Sequence, residues 1–516
     1  MLKLQTNKEA ANFRALLITD IFVFIPNYIN MNEEIRALEP KNLWGKFADL
    51  NEVPRPSKKE ERVIEFMKDF GNHLKLETLV DKVGNVLIRK PATKGMENKK
   101  PVVLQSHLDM VHQKNNSTNF DFDTQGIDMY VDGDWVRAKG TTLGADNGLG
   151  VASIMAILES DTIAHPALEA LFTINEETGM TGAKGLEAGL LKGEILLNLD
   201  TEEDDEIGIG CAGGVDVTAS RSYLEENTPE GSAAFKITLS GLQGGHSGMD
   251  IIKGLGNANK FMNRLLFDAN ENYGLRISQI TGGSLRNAIP RESEAIVTVD
   301  DLQVKAFKYE VNEIMETIKA EFTKLEPNLE LEITEIAVPE KVMEVEAQEV
   351  LLKGIYAVHN GVYRMSPEIE GLVETSNNIA KVEVKEGEIN IKCLTRSSVE
   401  SSKDDLTNSL RSAFELAGCK VELSGDYPGW APNRDSAILT ILDELYEKMH
   451  HEKADIAACH AGLECGLIGQ HYPEMDMISF GPTIRRAHSP DERASISSVQ
   501  KYWKFLLEIL KNIPKK

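Results

Sequence analysis

Residues 101–111 read Pro-Val-Val-Leu-Gln-Ser-His-Leu-Asp-Met-Val, an apolar run that breaks at once into a histidine and an aspartate two positions apart. A short apolar run without alternation is what a strand covered on both faces requires. Polar side chains at its C-terminal end, here His107 and Asp109, sit where an α/β sheet gathers functional groups.

The same grammar recurs on both sides. Thr78 to Lys90 reads as two short strands around Val83-Gly84-Asn85, and Leu168 to Asn175 and Glu194 to Asp200 read as further buried strands. Between them a helix follows Asp146-Asn147-Gly148 through Val151, Ile154, Met155 and Leu158. Upstream, Ser57-Lys-Lys-Glu60 has the spacing of a capping box, with Val63, Phe66, Met67 and Phe70 at helical intervals after it. Strands alternating with helices predict an α/β layered domain.

From the glycine-rich turn Cys211-Ala-Gly-Gly214 the texture changes. Phe235-Lys-Ile-Thr-Leu239 alternates like a half-buried strand. A helix near Asn257 to Phe267, strands near Leu275 to Ile280 and Ala295 to Val299, and a helix near Gln303 to Phe322 follow. That β-α-β-β-α order predicts an antiparallel sheet with helices on one face. A related pattern returns from about Leu329 to Leu423, as in a degenerate second copy. After Tyr427-Pro-Gly-Trp430 the α/β character resumes, with helices Ser436 to Met449 and Ser497 to Leu510. The expected organisation is an N-terminal extension (1–30), a catalytic domain in two parts (31–213 and 429–516), and an α+β lid domain inserted at 214–428. Ala15 to Ile25 is apolar apart from Thr19 and Asp20, too short to span a bilayer and followed by no cleavage pattern.

Composition narrows the class. The 516 residues exceed one core, and 41% hydrophobic with 27% charged residues is ordinary for a globular chain. Lysine and arginine number 56 against 81 acids, a net charge of −25 that disfavours nucleic acid and anionic membrane surfaces. Five scattered cysteines form no disulfide framework and fit a reducing cytoplasm.

Five polar sites stand at predicted strand ends or in loops: Ser106-His107-Leu108-Asp109, Gly144-Ala145-Asp146-Asn147-Gly148, Asn175-Glu176-Glu177-Thr178-Gly179, Asn198-Leu199-Asp200, and Ala487-His488-Ser489-Pro490-Asp491-Glu492. Singly each has a plain explanation: Asp146 as a helix N-cap, the glutamate pair as a solvated charge run. Together, imidazoles and carboxylates in this arrangement suit a pair of divalent cations, which share a bridging carboxylate when about 3.5–4 Å apart. Strand alternation predicts that Glu176 and Glu177 point opposite ways, one toward metal and one toward substrate.

These residues resemble the M20 co-catalytic metallopeptidases, and within them the cytosolic aminoacyl-histidine (Xaa-His) dipeptidases. Seven motifs occur in family order: Ser-His-Leu-Asp-Met-Val, Leu-Gly-Ala-Asp-Asn-Gly, Asn-Glu-Glu-Thr-Gly, Asn-Leu-Asp, Gly-Gly-His-Ser-Gly, Tyr-Pro-Gly-Trp and His-Ala-Gly-Leu-Glu-Cys-Gly. The resemblance implies a zinc-peptidase-like catalytic domain with a lid and two divalent ions, zinc first, with cobalt or manganese possible. It implies that His107 and Asp200 bind one ion, Glu177 and His488 the other, and Asp146 both. Glu176 is then the general base, Asp109 the carboxylate that orients His107, and the Asp146–Asn147 peptide is cis. In the lid it implies His246 and Asn287 as oxyanion donors and Arg396 as a clamp on the substrate carboxylate. Glu464 is a candidate for the substrate ammonium group, because a dipeptidase must read both ends of its ligand. A dipeptide substrate and a homodimer are the expected partners. An M20-type deacylase or carboxypeptidase, and a metal-binding or assembly protein without turnover, are the alternatives.

Overall fold

The computed structural model describes residues 32–516, so the expectation for residues 1–30 lies outside the described residues. The chain forms two compact units. The first runs to Glu206 and takes in Ile441–Ala454 and Ser479–Lys516; the second comprises Ile207–Thr440 and Asp455–Ile478.

In the first unit five strands lie side by side in the order Glu77–Val80, Val86–Lys90, Leu168–Thr173, Val102–His107, Ile195–Asn198. The first two form an antiparallel hairpin, and the last three are mutually parallel. Every residue of the three parallel strands is buried, the expected signature of a sheet covered on both faces. Helix Ala145–Glu159 is correspondingly apolar nearly all round, with Leu149, Val151, Ile154 and Ile157 fully buried. Helix Ile496–Asn512 is amphipathic and buries Val499, Tyr502, Phe505, Leu506 and Ile509.

The parallel register puts His107 opposite Thr173 and Gln105 opposite Asn198, so the carboxyl ends of the three strands finish within two residues of one level. A buried side-chain ladder fixes that level. Gln105 donates to Thr173 (3.1 Å), Asn198 donates to Gln105 (2.5 Å), and Ser479 donates to Asn198 (2.5 Å). Satisfied polar groups in an apolar interior specify one register where apolar contacts alone tolerate slippage. A smaller four-stranded sheet, ordered Ile484–Arg485, Arg493–Ser495, Trp135–Ala138, Met129–Asp132, closes a hairpin with His488 in its loop.

The second unit holds a nine-stranded antiparallel sheet. Strands Ser232–Ser240, Arg276–Gly282 and Ser293–Asp300 with helices Ala258–Tyr273 and Val304–Glu321 follow the β-α-β-β-α order read from the sequence. Strands Glu330–Ile336, Val373–Lys385 and Glu388–Ser397 with helices Val345–Ala357 and Glu400–Leu416 repeat it, and the copies join where Ile280 pairs with Val384. Phe235, Ile237 and Val297 from the strands share one core with Phe261, Val311, Leu351 and Leu410 from the four helices, so the helices cover one face.

Two local expectations fail. Ser57 caps no helix: the helix begins at Glu61, its N-cap Glu60 makes no side-chain cap, and the Glu60 carboxylate instead accepts the Lys58 N–H at 2.8 Å. Glu176 and Glu177 do not extend a strand. Asn175 adopts a left-handed conformation (φ 51°) and turns the chain into the one-turn helix Glu176–Gly179, so the two carboxylates diverge by a helical step rather than to opposite faces.

Candidate active site

His107 ends its strand 1% exposed, and its ring is held from behind by the Asp109 carbonyl at 3.1 Å from Nδ1. The Asp109 carboxylate lies at 3.5 Å from the same nitrogen. That carboxylate, fully buried, accepts hydrogen bonds from the Ser57 hydroxyl (2.8 Å) and the N–H groups of Glu176 (3.0 Å) and Glu177 (3.3 Å). Asp109 therefore ties the His107 strand to the turn that carries the glutamate pair, and this is where the misread Ser57 is employed.

The forward nitrogen, His107 Nε2, lies 3.2 Å from Asp146 Oδ1 and 3.5 Å from Asp200 Oδ1. His488 Nε2 lies 3.0 Å from Asp146 Oδ2 and 3.0 Å from Glu177 Oε2. Each histidine thus faces the carboxylate that the family resemblance pairs it with, and Asp146 gives one oxygen to each. The Asp146–Asn147 peptide is cis. The Asn147 amide donates to Leu199 O (2.7 Å) and to the Asp200 carboxylate, linking the helix entry to the third strand end. Gly150 has no room for a side chain, since a Cβ there would lie 2.3 Å from Asn147 Oδ1.

Around this core stand residues that the sequence reading did not assign. Arg55, 1% exposed, donates to the carbonyls of Leu108, Asp109 and Gly144. Burial and the neighbouring charge of Asp146 push Glu202 up to about 8. Burial pushes Glu492 up to about 7 against the N–H groups it accepts. Glu492 closes the motif that begins at Ala487; Arg55 stands between Pro54 and Pro56, a sign of a fixed backbone and nothing more.

In the second unit, Gly245–His246 pairs with Ala288–Ile289, and Ser247 N–H donates to Asn287 O at 2.8 Å, so His246 and Asn287 are neighbours. His246 Nδ1 accepts N–H groups of Gly248 (3.2 Å) and Met249 (3.1 Å), which puts the proton of the neutral ring on Nε2 as a donor. The Asn378 amide donates to the carbonyls of Arg286 (3.2 Å) and Ala288 (2.8 Å), bracing the peptides on either side of Asn287. Arg396, 5% exposed, donates to the Tyr427 hydroxyl at 2.8 Å. Burial, with the positive charge of Arg396, drives His460 down to about 3, and it is held by Ser376 at 2.8 Å. Glu464 is fully buried at the start of helix Glu464–His471.

The profile of Peptidase family M20/M25/M40 matches residues 103–512. The chain belongs to this family. M20 enzymes are metallopeptidases, and relatives cover nearly the whole M20 chain. The cytosol non-specific dipeptidase of Escherichia coli K12 is 46% identical over 483 residues, 94% of this chain and all of the relative. The crystal structure of aminoacylhistidine dipeptidase from Vibrio alginolyticus superposes with a TM-score of 0.87 at 45% identity, covering 94% of this chain and 99% of that one. An aminopeptidase from Bacillus cereus, at 15% identity and a TM-score of 0.54 over 92% of this chain and 99% of its own, shares the fold.

The M20 site chemistry fits divalent cations. Ligand atoms of His107, Asp146 and Glu177 all lie within 4.8 Å of one another. Glu177 Oε1 is buried without a hydrogen-bond partner. Burial raises Glu177 and Asp200, with Asp146 adding repulsion in both cases. The hydrogen bonds that His488 donates to Asp146 and Glu177 push it up to about 11. Against its burial, the charge of Asp200 and bonds to the surrounding aspartates raise His107 well above its ordinary value. Carboxyls raised by burial and mutual repulsion, beside imidazoles raised by the carboxylates they face, mark a cluster short of positive charge, which bound divalent cations would supply.

That shortage has a measurable sign. The folded-state values of Glu202 and His488 lie above their unfolded values, so the native chelated protein binds more protons than the unfolded chain. Their contributions fade as pH rises, from the ordinary glutamate value to about 8 for Glu202, and from the ordinary histidine value to about 11 for His488. Asp146, held below its ordinary value by His107 and His488 despite burial, acts oppositely but only in the acid range. The melting temperature of chelated protein is expected to fall between about pH 6 and 9, and metal-loaded protein to fall less. Scanning fluorimetry across pH checks this; parallel curves contradict it.

Proposed function

We propose that this chain is a two-metal dipeptidase that hydrolyses unblocked dipeptides, aminoacyl-histidine substrates among them. The observation that carries the reading is the Asp146 carboxylate, one oxygen on each of two histidines that each reach a further carboxylate. His107 and Asp200 would hold one ion, Glu177 and His488 the other, and Asp146 both. Zinc suits this nitrogen and oxygen set, with cobalt and manganese as alternatives. When bound, such ions polarise a carbonyl and lower the pKa of water toward about 7.

The remaining roles fall to the chain. Glu176 takes a proton from the attacking water and delivers it to the leaving amine, which accounts for its position next to Glu177 on a turn pinned by Asp109. His246, with Nε2 as donor, and Asn287 stabilise the oxyanion of the tetrahedral intermediate. Arg396 binds the free carboxylate and Glu464 the free ammonium group. The choice of dipeptides is supported by the full-length similarity to the two named dipeptidases. Cytoplasmic location and a homodimer belong to the same proposal. Among the described residues no helix is long and apolar enough to cross a membrane. We also propose domain limits at 213/214 and 428/429, supported by the pairing of Gly214 with Tyr427 at the ends of their strands; the compact units instead divide at 206/207 and 440/441, and Asp455–Ile478 belongs with the second unit.

A panel of dipeptides and their N-acetylated forms, assayed with zinc, manganese and cobalt, tests the function. Release of histidine from Xaa-His only when the amine is free supports it; preference for the acetylated forms makes the protein a deacylase, and no turnover across the panel leaves a metal-binding protein. For Arg396, the Arg396→Lys variant loses the fork geometry and is expected to raise KM about 10- to 100-fold with kcat less affected. The comparison is with dipeptide amides: wild type should favour the free carboxylate, and a variant that keeps the wild-type ratio removes Arg396 from this role.

A further inference from the structure

We infer that Glu492, which no ligand assignment includes, is a positioning residue that sets Asp146 and His488 at the distance two ions require; the inference rests on the two-metal reading above. Glu492 is 2% exposed. Its Oε2 accepts the N–H groups of Leu143 (2.7 Å) and Gly144 (3.0 Å), and its Oε1 those of Ala145 (2.8 Å) and Asp146 (3.4 Å). One carboxylate thus gathers four consecutive main-chain donors at the entry to helix Ala145–Glu159.

These donors have no local alternative. Asp146 (ψ 110°) and Asn147 (ψ 31°) leave helical geometry, and Gly144 precedes them in a left-handed conformation (φ 68°) with no side chain to cap with. Buried N–H groups without acceptors are costly, so an acceptor from elsewhere must serve. Arg55 completes the hold from the other side: its guanidinium donates to Gly144 O at 2.6 Å while Glu492 accepts the Gly144 N–H. The peptide chain leading into Asp146 is gripped at both its N–H and its C=O.

The origin of Glu492 gives this hold its consequence. Glu492 immediately precedes strand Arg493–Ser495, and its N–H returns to Ser489 O at 3.0 Å, closing the loop that presents His488. His488 and Glu492 therefore belong to one small loop, and that loop meets the Asp146 segment twice, through His488 Nε2 to Asp146 Oδ2 and through Glu492 to the main chain. The second contact fixes the first. A cap serving only fold stability has no need to come from the loop bearing a ligand.

The test separates positioning from capping. Glu492→Gln keeps the shape but turns an amide toward N–H donors; Glu492→Asp keeps the charge but withdraws it by one methylene. Asp134→Ala is the control, because Asp134 caps helix Ile496–Asn512 through Ser495 (2.8 Å) and the Ser497 N–H (3.0 Å) without touching Asp146. Chelated full-length proteins, shown folded by circular dichroism, are titrated with manganese and with zinc. Glu492→Gln is expected to weaken ion affinity about 10- to 100-fold, with kcat lowered and KM for a dipeptide near wild type. Glu492→Asp should fall between, and Asp134→Ala should lower the melting temperature at wild-type affinity. If Glu492→Gln does not fold, Glu492→Asp alone decides. Wild-type ion affinity in a folded Glu492 variant with a reduced melting temperature would overturn the inference and leave a helix cap. Wild-type protein that binds no divalent ion would overturn the two-metal reading itself, and this inference with it.

Discussion

Glu176→Gln is expected to lower kcat by about 10²- to 10⁴-fold while the protein keeps its ions and its KM. The substitution is nearly isosteric, and the contact that fixes the turn survives it, because Asp109 accepts the Glu176 main-chain N–H rather than its side chain. Glu177, the neighbouring proposed ligand, is held by its own N–H to Asp109 and by His488. What disappears is the proton acceptor. Steady-state kinetics with metal analysis of the same preparation check the outcome: unchanged ion content with a large kcat loss assigns the base, whereas kcat within about threefold of wild type would assign it elsewhere.

Asp146→Asn should do more, because under the two-metal proposal it acts on both ions at once. The amide keeps one acceptor oxygen, so one histidine would face an NH₂ where it now faces an anion. Ion affinity is expected to fall by more than the 10- to 100-fold typical of residues behind the ligands, and activity to reach background. The sharper readout is stability. A ligand at about 100 times its Kd stabilises a folded protein by about 2.7 kcal/mol, and that increment should vanish in the variant at the same ion concentration. A melting temperature that still rises with added metal as in wild type would show that Asp146 does not bridge. The Glu202 carboxyl supplies an independent check, since Asp146 is the largest charge holding it high after burial. Chelated Asp146→Asn should therefore lose less stability than chelated wild type as pH rises.

Much of this architecture was legible in the chain. Buried strands such as Val102–His107 and Leu168–Thr173 declare themselves because apolar runs of that length have few other uses, and the alternation of Phe235 to Leu239 marks a one-sided strand equally well. The proposed ligands were less legible residue by residue. His107, Asp146 and Asp200 each had a plain local explanation, and only their order along the chain, matched to a family, singled them out.

The failures share one cause. Ser57 satisfies the spacing of a capping box, yet its hydroxyl is claimed by Asp109, 52 residues away. The glutamate pair follows an apolar strand, yet Asn175 turns the chain before strand geometry reaches it. Arg55 and Glu492 owe their importance to partners 89 and 346 to 349 residues distant. Local pattern records propensity; it holds no trace of which distant group will claim a side chain.

The Glu492 carboxylate also has a meaning in time. Ribosomes add about 5–20 residues each second, so the 346 positions separating Asp146 from Glu492 take on the order of 20 to 70 seconds to make. During that interval strands Leu168–Thr173 and Ile195–Asn198 and the turn carrying Glu176 and Glu177 are synthesised, while the acceptor for the amides of Leu143, Gly144, Ala145 and Asp146 has yet to exist. Under the two-metal proposal, His488 and Glu492 both arrive near the end of synthesis, so the growing polypeptide lacks a proposed ligand and the group that positions it until then.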